Sequence, residues 1–272
     1  MSSDYKVIIS ISSDIASELA EKWLANGEKV IGTYRNWNDN LEALSKYDSL
    51  TLLKLDFAVD KDFYNLIELV NSLGKWRVLV IASGSQEPIG KFLNMSFLDW
   101  AEGIKFNFLC QMKIVHSLLP LRCERTESDP TVLFFAGGGT NNSVKNYSAY
   151  TISKISLIKM CELLSTELPD VKFSIVGPGW VKTKIHKATL QDLGKNSDEN
   201  YQKTIDMLDG SDLVPISEVV KSCEWIIDQK INVVTGRNFS TKFDQFNDSL
   251  GNALISDTNM YKLRRYKNEW TE

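Results

Sequence analysis

Seven short runs of aliphatic, aromatic and β-branched residues punctuate the chain: Lys6–Ser10, Lys29–Tyr34, Thr51–Leu55, Val78–Ile81, Val132–Ala136, Lys172–Val176 and Val233–Thr235. Several are continuously apolar rather than alternating, as strands covered on both faces are. Between them, apolar positions recur at helical spacing in Ile15–Ala25, Phe63–Leu73, Ile104–Leu119, Ser148–Leu168 and Ile216–Asp228. Strands alternating with helices predict an α/β fold, a doubly wound parallel sheet of seven strands with right-handed crossovers. Such sheets bind ligands beyond the carboxyl ends of their strands, so the residues just after each run carry the chemistry. The polar stretch 184–215 lacks a strand and reads as a lid of loop and short helices over the site. Past Phe243 the chain is polar with scattered aromatics. This tail, about 244–272, is expected to join a subunit interface or to cover a neighbour's site. No linker interrupts the pattern, so residues 1–272 read as a single domain.

Composition narrows the partners. The 272 residues suffice for one large core, and 43% apolar and 24% charged residues are ordinary for a globular protein. A net charge of -4 speaks against nucleic acid and against a polybasic membrane anchor. The apolar runs are strand-sized, and the opening MSSDYK lacks the apolar core of a signal peptide. Cys110, Cys123, Cys161 and Cys223 form no C-x-x-C pair, and His116 and His186 are the only histidines. Neither a disulfide framework nor a metal site is expected, and reduced thiols suit a cytoplasmic protein. His116 falls on the apolar pattern of its helix and reads as structural, whereas His186, in the lid, is a candidate substrate contact.

Candidate chemistry centres on Tyr150 and Lys154, four apart on a predicted helix and so on one face. A phenol titrates near ~10, and a neighbouring ammonium favours its ionised form, easing proton exchange near neutrality. A chain with nine tyrosines produces such a spacing by chance, so its surroundings decide its meaning. The pair opens the helix after the fifth run, in Tyr147-Ser-Ala-Tyr150-Thr-Ile-Ser-Lys154. Asn107 lies early in the preceding long helix, Asp56-Phe57 follow the third run, and Pro178-Gly179-Trp-Val181-Lys-Thr183 follow the sixth. Taken singly, Asn107 reads as a surface or capping residue, Asp56 as a loop residue and Pro178-Gly179 as a turn.

Together, in this order, the segments resemble the short-chain dehydrogenases/reductases, whose signature is Y-x-[AS]-S-K, from roughly Lys6 to Asp244. The resemblance implies a Rossmann fold and a nicotinamide cofactor. It makes Tyr150 the general acid/base, Lys154 the holder of the nicotinamide ribose, and Asn107 the anchor of a water-linked proton relay. It assigns Asp56 with Phe57 to the adenine, and Pro178, Gly179, Val181 and Thr183 to the carboxamide. Tyr147 and Trp180 flank this site, as packing or as pocket walls.

Three segments depart from the family. The turn T-G-x-x-x-G-x-G reads Ile9-Ser10-Ile11-Ser12-Ser13-Asp14-Ile15-Ala16, with all three glycines replaced. Ser10, Ser12, Ser13, Asp14 and Ile15 would line the pyrophosphate, and Asp14 brings a carboxylate to that dianion unless it turns away, capping the helix. The N-N-A-G segment appears as Ala82-Ser83-Gly84 after Ile81, an altered adenine-ribose wall. The serine expected thirteen residues before the tyrosine is Gly137, in Ala136-Gly-Gly-Gly139. A backbone N–H of that glycine run, acting with Tyr150, is the alternative holder of a carbonyl oxygen. At the end of the second run stands Arg35 rather than a carboxylate, which suits a 2′-phosphate and favours NADP over NAD. The expected function is an NAD(P)-dependent oxidoreductase interconverting a secondary alcohol and a ketone on a polar, sugar-like small molecule. The alternative is a catalytically impaired relative that binds or regulates. The resemblance also implies a homodimer or homotetramer built through the helices 104–119 and 148–168.

Overall fold

The computed structural model describes residues 4–125, 128–191, 198–210 and 212–265. Seven strands form one sheet: Tyr5–Ile9 (β1), Val30–Tyr34 (β2), Leu50–Lys54 (β3), Trp76–Ile81 (β4), Thr131–Phe135 (β5), Lys172–Gly177 (β6) and Arg237–Ser240 (β7). Their order is β3-β2-β1-β4-β5-β6-β7, and every neighbouring pair is parallel. The order reverses between β1 and β4, and a crevice at such a switch point is where doubly wound sheets bind ligands.

The strands are apolar throughout because both faces are covered. Val7 and Ile9 of β1 join a core with Asp60–Leu73 (α3), Cys110–Leu118 (α5) and Ser148–Glu167 (α6). Ile8 faces the other way, into a core with Asp14–Ala25 (α1) and Ile216–Asp228 (α9). This period of two within a continuous apolar run is the strand geometry itself. All five residues of β5 are buried.

The long helix expected over 104–119 is broken into parts. Phe97–Ile104 (α4) starts earlier, where the Ser96 hydroxyl accepts from Asp99 N at 3.4 Å. A π-helical turn, Lys105–Leu109, then leads into α5. His116 is exposed on α5, a correction to its reading as structural. Its neighbours Val115 and Ile114 carry the buried face instead.

The seventh strand is also displaced. Val233-Val234 lie in the short helix Ile231–Val234 (α10), buried, and Gly236 reverses the chain at φ 74° before β7 begins. A Cβ at Gly236 would stand 2.9 Å from Ser165 Oγ, so the turn needs glycine for space as well as for φ. The β-branched pair signalled a strand, but packing decided otherwise. The sequence Arg237-Asn-Phe-Ser hid the true one because buried Arg237 stands where an apolar residue is expected. Its guanidinium donates to the carbonyls of Leu254, Asp257 and Met260, closing the end of Asp248–Ser256 (α11).

Thus the described part of the tail, to Arg265, packs on this chain's own core. Leu250 and Leu254 of α11 are buried, and Phe246 and Tyr261 close around Trp225 and Phe239. The lid contains Lys184–His186 as a 3-10 turn, Lys187–Gln191 (α7) and Asp198–Asp209 (α8); its residues 192–197 and 211 lie outside the described set.

A second buried cation, Lys172, opens β6 and donates to the carbonyls of Ile227 and Gln229 at the end of α9. Burial pulls its ammonium down to about 8, and the same cause pulls Lys154 to about 8. Between about pH 8 and 10 the unfolded chain, with lysines near ~10.4, therefore binds more protons at these two sites than the folded one. Each of the two lysines thus contributes stability that rises with pH over that window, by up to about 1.4 kcal/mol per pH unit. The buried thiols of Cys161 and Cys223, pushed up by burial, contribute in the opposite direction as unfolded thiols ionise. Below pH 8 the penalty on both lysines is fully present and their share of the slope vanishes. Urea titrations should show the stability of Lys172→Met changing with pH by up to about 1.4 kcal/mol per unit less favourably than that of the wild type over this window; equal slopes in the two proteins would refute the assignment.

Candidate active site

The residues singled out near the ends of β4 and β5 do come together. The start of α6 is fixed against α4 by Trp100 Nε1 donating to Ser148 Oγ at 3.0 Å. One turn of α6 then buries Tyr150 (8% exposed) and Lys154 (3%) on the same face. Lys154 Nζ donates to the Phe135 carbonyl at 2.8 Å and lies 5.7 Å from the centre of the Tyr150 ring. Gly84 closes the other side: a Cβ there would stand 3.6 Å from Lys154 Nζ and 3.8 Å from Asn107 Oδ1. Asn107, fully buried in the π-helical turn, accepts from Ser85 N and donates to Ser85 O, both at 2.9 Å, and donates to Gly103 O at 3.0 Å. One turn on, Gln111 Nε2 donates to Ser83 O at 3.0 Å. Two amides of one helix therefore hold the segment 83–85 over the site. The spacing of Asn107 and Gln111, four apart, was the available signal for Gln111.

The electrostatics differ from the sequence expectation. Burial pushes the Tyr150 phenol up to about 12 and the Lys154 ammonium down to about 8. The ammonium points at a carbonyl and not at the phenol oxygen, so desolvation outweighs any help it gives the phenolate. At neutral pH Tyr150 is a phenol, a proton donor.

Gly137 is in contact with that phenol. A Cβ at residue 137 would lie 2.6 Å from both Tyr150 Oη and Cε1. The aromatic ring thus fills the space into which any side chain at 137 would project.

At the β1 end the turn keeps a glycine-like shape without glycine. Ser10 adopts φ 64°, with its N–H bound to Thr33 Oγ1 at 3.1 Å, and Ser13 N donates to Ser10 O at 3.0 Å. Ala16 is fully buried under α1. Ser12 O accepts from Asn38 Nδ2 at 2.9 Å and Asn40 Nδ2 at 3.3 Å, which ties the turn to Asp39–Leu44 (α2). Asp14 does not cap α1, contrary to one expectation. Its Oδ2 accepts from Lys184 N at 2.9 Å and its Oδ1 from Asn40 Nδ2 at 3.3 Å. Ile15 is half-buried beside it.

Arg35 is exposed at the end of β2, beside Trp37, which is 51% exposed and edge-on to Tyr34 at 5.6 Å. Sequence reasoning passed over Trp37, although an aromatic two residues after Arg35 is visible in the sequence. Ala82 N donates to Ile9 O at 3.0 Å, joining the two strands at the switch point, and Ser83 is buried with a hydroxyl that finds no partner among the described residues. Asp56 accepts from Ala58 N at 3.0 Å in a local turn, and Phe57 packs on Phe63 and Phe106. After β6, Pro178 is half-buried and Gly179 turns at φ 76°, where a Cβ would meet Val214 at 2.8 Å. Val181 is buried, and its carbonyl receives Thr183 Oγ1 at 3.4 Å and His186 Nε2 at 3.0 Å. His186 is buried and stacked on Trp180, ring centres 5.1 Å apart, and burial lowers its pKa. It anchors the lid's root rather than facing a substrate, which corrects its reading as a substrate contact. Tyr147 is buried, with its hydroxyl 2.6 Å from Thr189 Oγ1, which in turn donates to Gln86 Oε1 at 2.8 Å. That chain of contacts, invisible in the sequence, fastens the lid helix α7 beside the site.

Comparison with known proteins gives a consistent result. Residues 10–241 match the family model described as enoyl-(acyl carrier protein) reductase. An uncharacterized oxidoreductase of Schizosaccharomyces pombe is 25% identical over 195 residues, covering 71% of this chain and 77% of the relative. A crystal structure of a short-chain dehydrogenase/reductase from Saccharomyces cerevisiae superposes with a TM-score of 0.78 at 21% identity, covering 90% of this chain and 98% of the other. The structure of BdcA in complex with NADPH superposes with a TM-score of 0.68 at 18% identity, covering 87% and 92%.

Proposed function

The chain belongs to the short-chain dehydrogenase/reductase family, and on that premise we propose that it is an NADP-dependent oxidoreductase interconverting a ketone and a secondary alcohol. The observation that carries this reading is the convergence of buried Tyr150, Lys154 and Asn107 at the switch-point side of the sheet, with the exposed Gly84 beside Lys154 and Asn107.

The residues fit a dinucleotide. An ammonium has three donors, and Lys154 uses one on Phe135 O, leaving two for ribose hydroxyls. The Ser83 hydroxyl is buried without a partner among the described residues, as a group meant for a ligand is. The left-handed turn at Ser10 and the exposed Arg35 supply a path for the phosphates, Arg35 taking the 2′-phosphate of NADP. The bound cofactor supplies the hydride chemistry. Ser12, Ser13 and Ile15 would lie along the pyrophosphate, Asp56 and Phe57 by the adenine, and Pro178, Gly179, Val181 and Thr183 by the carboxamide.

The protein's own part is proton transfer and orientation. Tyr150, a phenol at neutral pH, donates its proton to the carbonyl oxygen during reduction and takes one back in oxidation. Lys154 orients the ribose and, while charged, stabilises the phenolate formed. Asn107 holds the segment 83–85 and the water path to Lys154. The lid lysines 182, 184 and 187 favour a polar, sugar-like substrate, since they are exposed at the root of the lid. The exposed Leu109, Ile152 and Leu163 on the helices 104–119 and 148–168 support a homodimer or homotetramer. Four free, buried cysteines suit the cytoplasm.

Two observations favour the second reading, a relative that binds a nucleotide without turning over substrate: the carboxylate of Asp14 at the phosphate turn and the ring of Tyr150 in the space a side chain at 137 would take. Fluorescence titration separates the readings at their root. NADPH is expected to saturate the protein below a millimolar, about tenfold more tightly than NADH. No binding of either at millimolar concentration overturns the oxidoreductase.

A further inference from the structure

We propose that the Asp14 carboxylate is an internal rival of the cofactor's diphosphate, clamping the root of the lid onto the first strand–helix turn, and that it must swing away before the cofactor seats. This inference rests on the cofactor reading above and adds a gate to it.

Asp14 is the first residue of α1, whose N-cap, Ser13, makes no side-chain cap. In doubly wound sheets the phosphates of a dinucleotide come to rest at this turn, on N–H groups at the helix start. Here a carboxylate already stands there. It takes the N–H of Lys184 at 2.9 Å and an amide hydrogen of Asn40 at 3.3 Å, with Lys184 Nζ 3.8 Å away. A backbone N–H, a side-chain amide and an ammonium are donors that suit a phosphate oxygen equally well. The two anions therefore compete for one set of donors and repel each other at the same turn. The contact spans 170 residues of sequence, so it joins the lid's root to β1 and α1 and reaches beyond local helix capping.

The displaced carboxylate has somewhere to go. The clamp itself lines an open groove of about 790 Å³, with Lys182, Lys184 and Lys187 on the lid side and Glu18 and Glu21 along α1. Rotated into it, Asp14 keeps lysine neighbours while Lys184 N turns to the diphosphate. Cofactor binding and opening of the lid's root are then one event, and resting affinity is lowered by the cost of breaking the clamp.

The test is NADPH titration of the wild type, Asp14→Asn and Asp14→Gly by protein fluorescence, with hydrogen exchange of residues 182–187 followed in the same proteins without cofactor. Asp14→Gly is expected to bind NADPH at least tenfold more tightly than the wild type. Asp14→Asn, which keeps an acceptor but loses the charge, should fall between them. Exchange of the Lys184 amide should speed up in Asp14→Gly, and circular dichroism should show each variant folded. If Asp14→Gly proves unstable, Asn alone decides, and a dissociation constant equal to the wild type overturns the clamp. Equal sub-millimolar affinity in all three proteins likewise overturns the clamp and leaves the oxidoreductase standing. No binding by any of them overturns both.

Discussion

Tyr150→Phe is expected to lower the turnover of any ketone substrate by about 10³-fold while leaving NADPH affinity within about twofold, since general acid catalysis is worth roughly 10²–10⁴. The change deletes one oxygen and keeps the ring, which continues to fill the space against Gly137. Among the described residues the phenol oxygen makes no hydrogen bond, so its removal strands no partner. Stability is therefore expected to stay level. This split between activity and stability distinguishes a proton donor from a packing residue, whose loss would move both together. The pH profile adds a second signature. A phenol held up to about 12 keeps its proton through the neutral range, whereas Lys154 loses its charge near 8. Reduction should thus be flat from about pH 6 to 7.5 and fall above 8, where the ammonium is lost. Kinetics of Tyr150→Phe retaining more than a tenth of wild-type turnover would refute the role.

Much of the architecture was legible because it follows from elementary patterning. Six of the seven strands lie where the β-rich runs stood, shifted by one or two residues at their ends, since both faces of the sheet are covered. The seventh was hidden by Arg237, a buried cation that satisfies helix-end carbonyls, and was mimicked by Val233-Val234, which a helical turn buries equally well. Tail residues 248–256 form a helix whose cap, Asn247, and two buried leucines are too sparse a signal against a polar background. At the site, Tyr150, Lys154 and Asn107 were singled out by resemblance to a family pattern, and the fold brings the three side chains together. The protonation of Tyr150 and Lys154 was not legible, since spacing says nothing of burial, and burial dominates both groups. Contacts between segments far apart in sequence, such as Asp14 with Lys184 and Tyr147 with Thr189, could come only from the folded chain.

Gly137 yields the other large effect, and its direction runs against the motif. Restoring a serine there, which the family pattern invites, is expected to lower turnover by about 10²-fold or more. A Cβ at 137 would stand 2.6 Å from Tyr150 Oη and Cε1, well inside contact distance, and the ring is buried with little room to retreat. A displacement of about 1 Å at a catalytic group can cost 10² in rate, and overpacking a core site costs roughly 1–3 kcal/mol. Gly137→Ala should therefore behave like Gly137→Ser, because the first added carbon makes the clash and the hydroxyl comes too late to help. Pairing each change with Tyr150→Ala tests the cause directly. With the ring gone, a serine or alanine at 137 should cost almost no stability, so a double-mutant cycle should return a coupling of about 1–3 kcal/mol. If instead Gly137→Ser turned over faster than the wild type, and faster than Gly137→Ala, the hydroxyl would be acting as the missing carbonyl donor. Tyr150 would then have to move aside at little cost, and the tight contact at Gly137 would not be what sets its position. The geometry predicts the opposite: glycine at 137 and the deep seat of Tyr150 form a matched pair, because any side chain at 137 meets the ring.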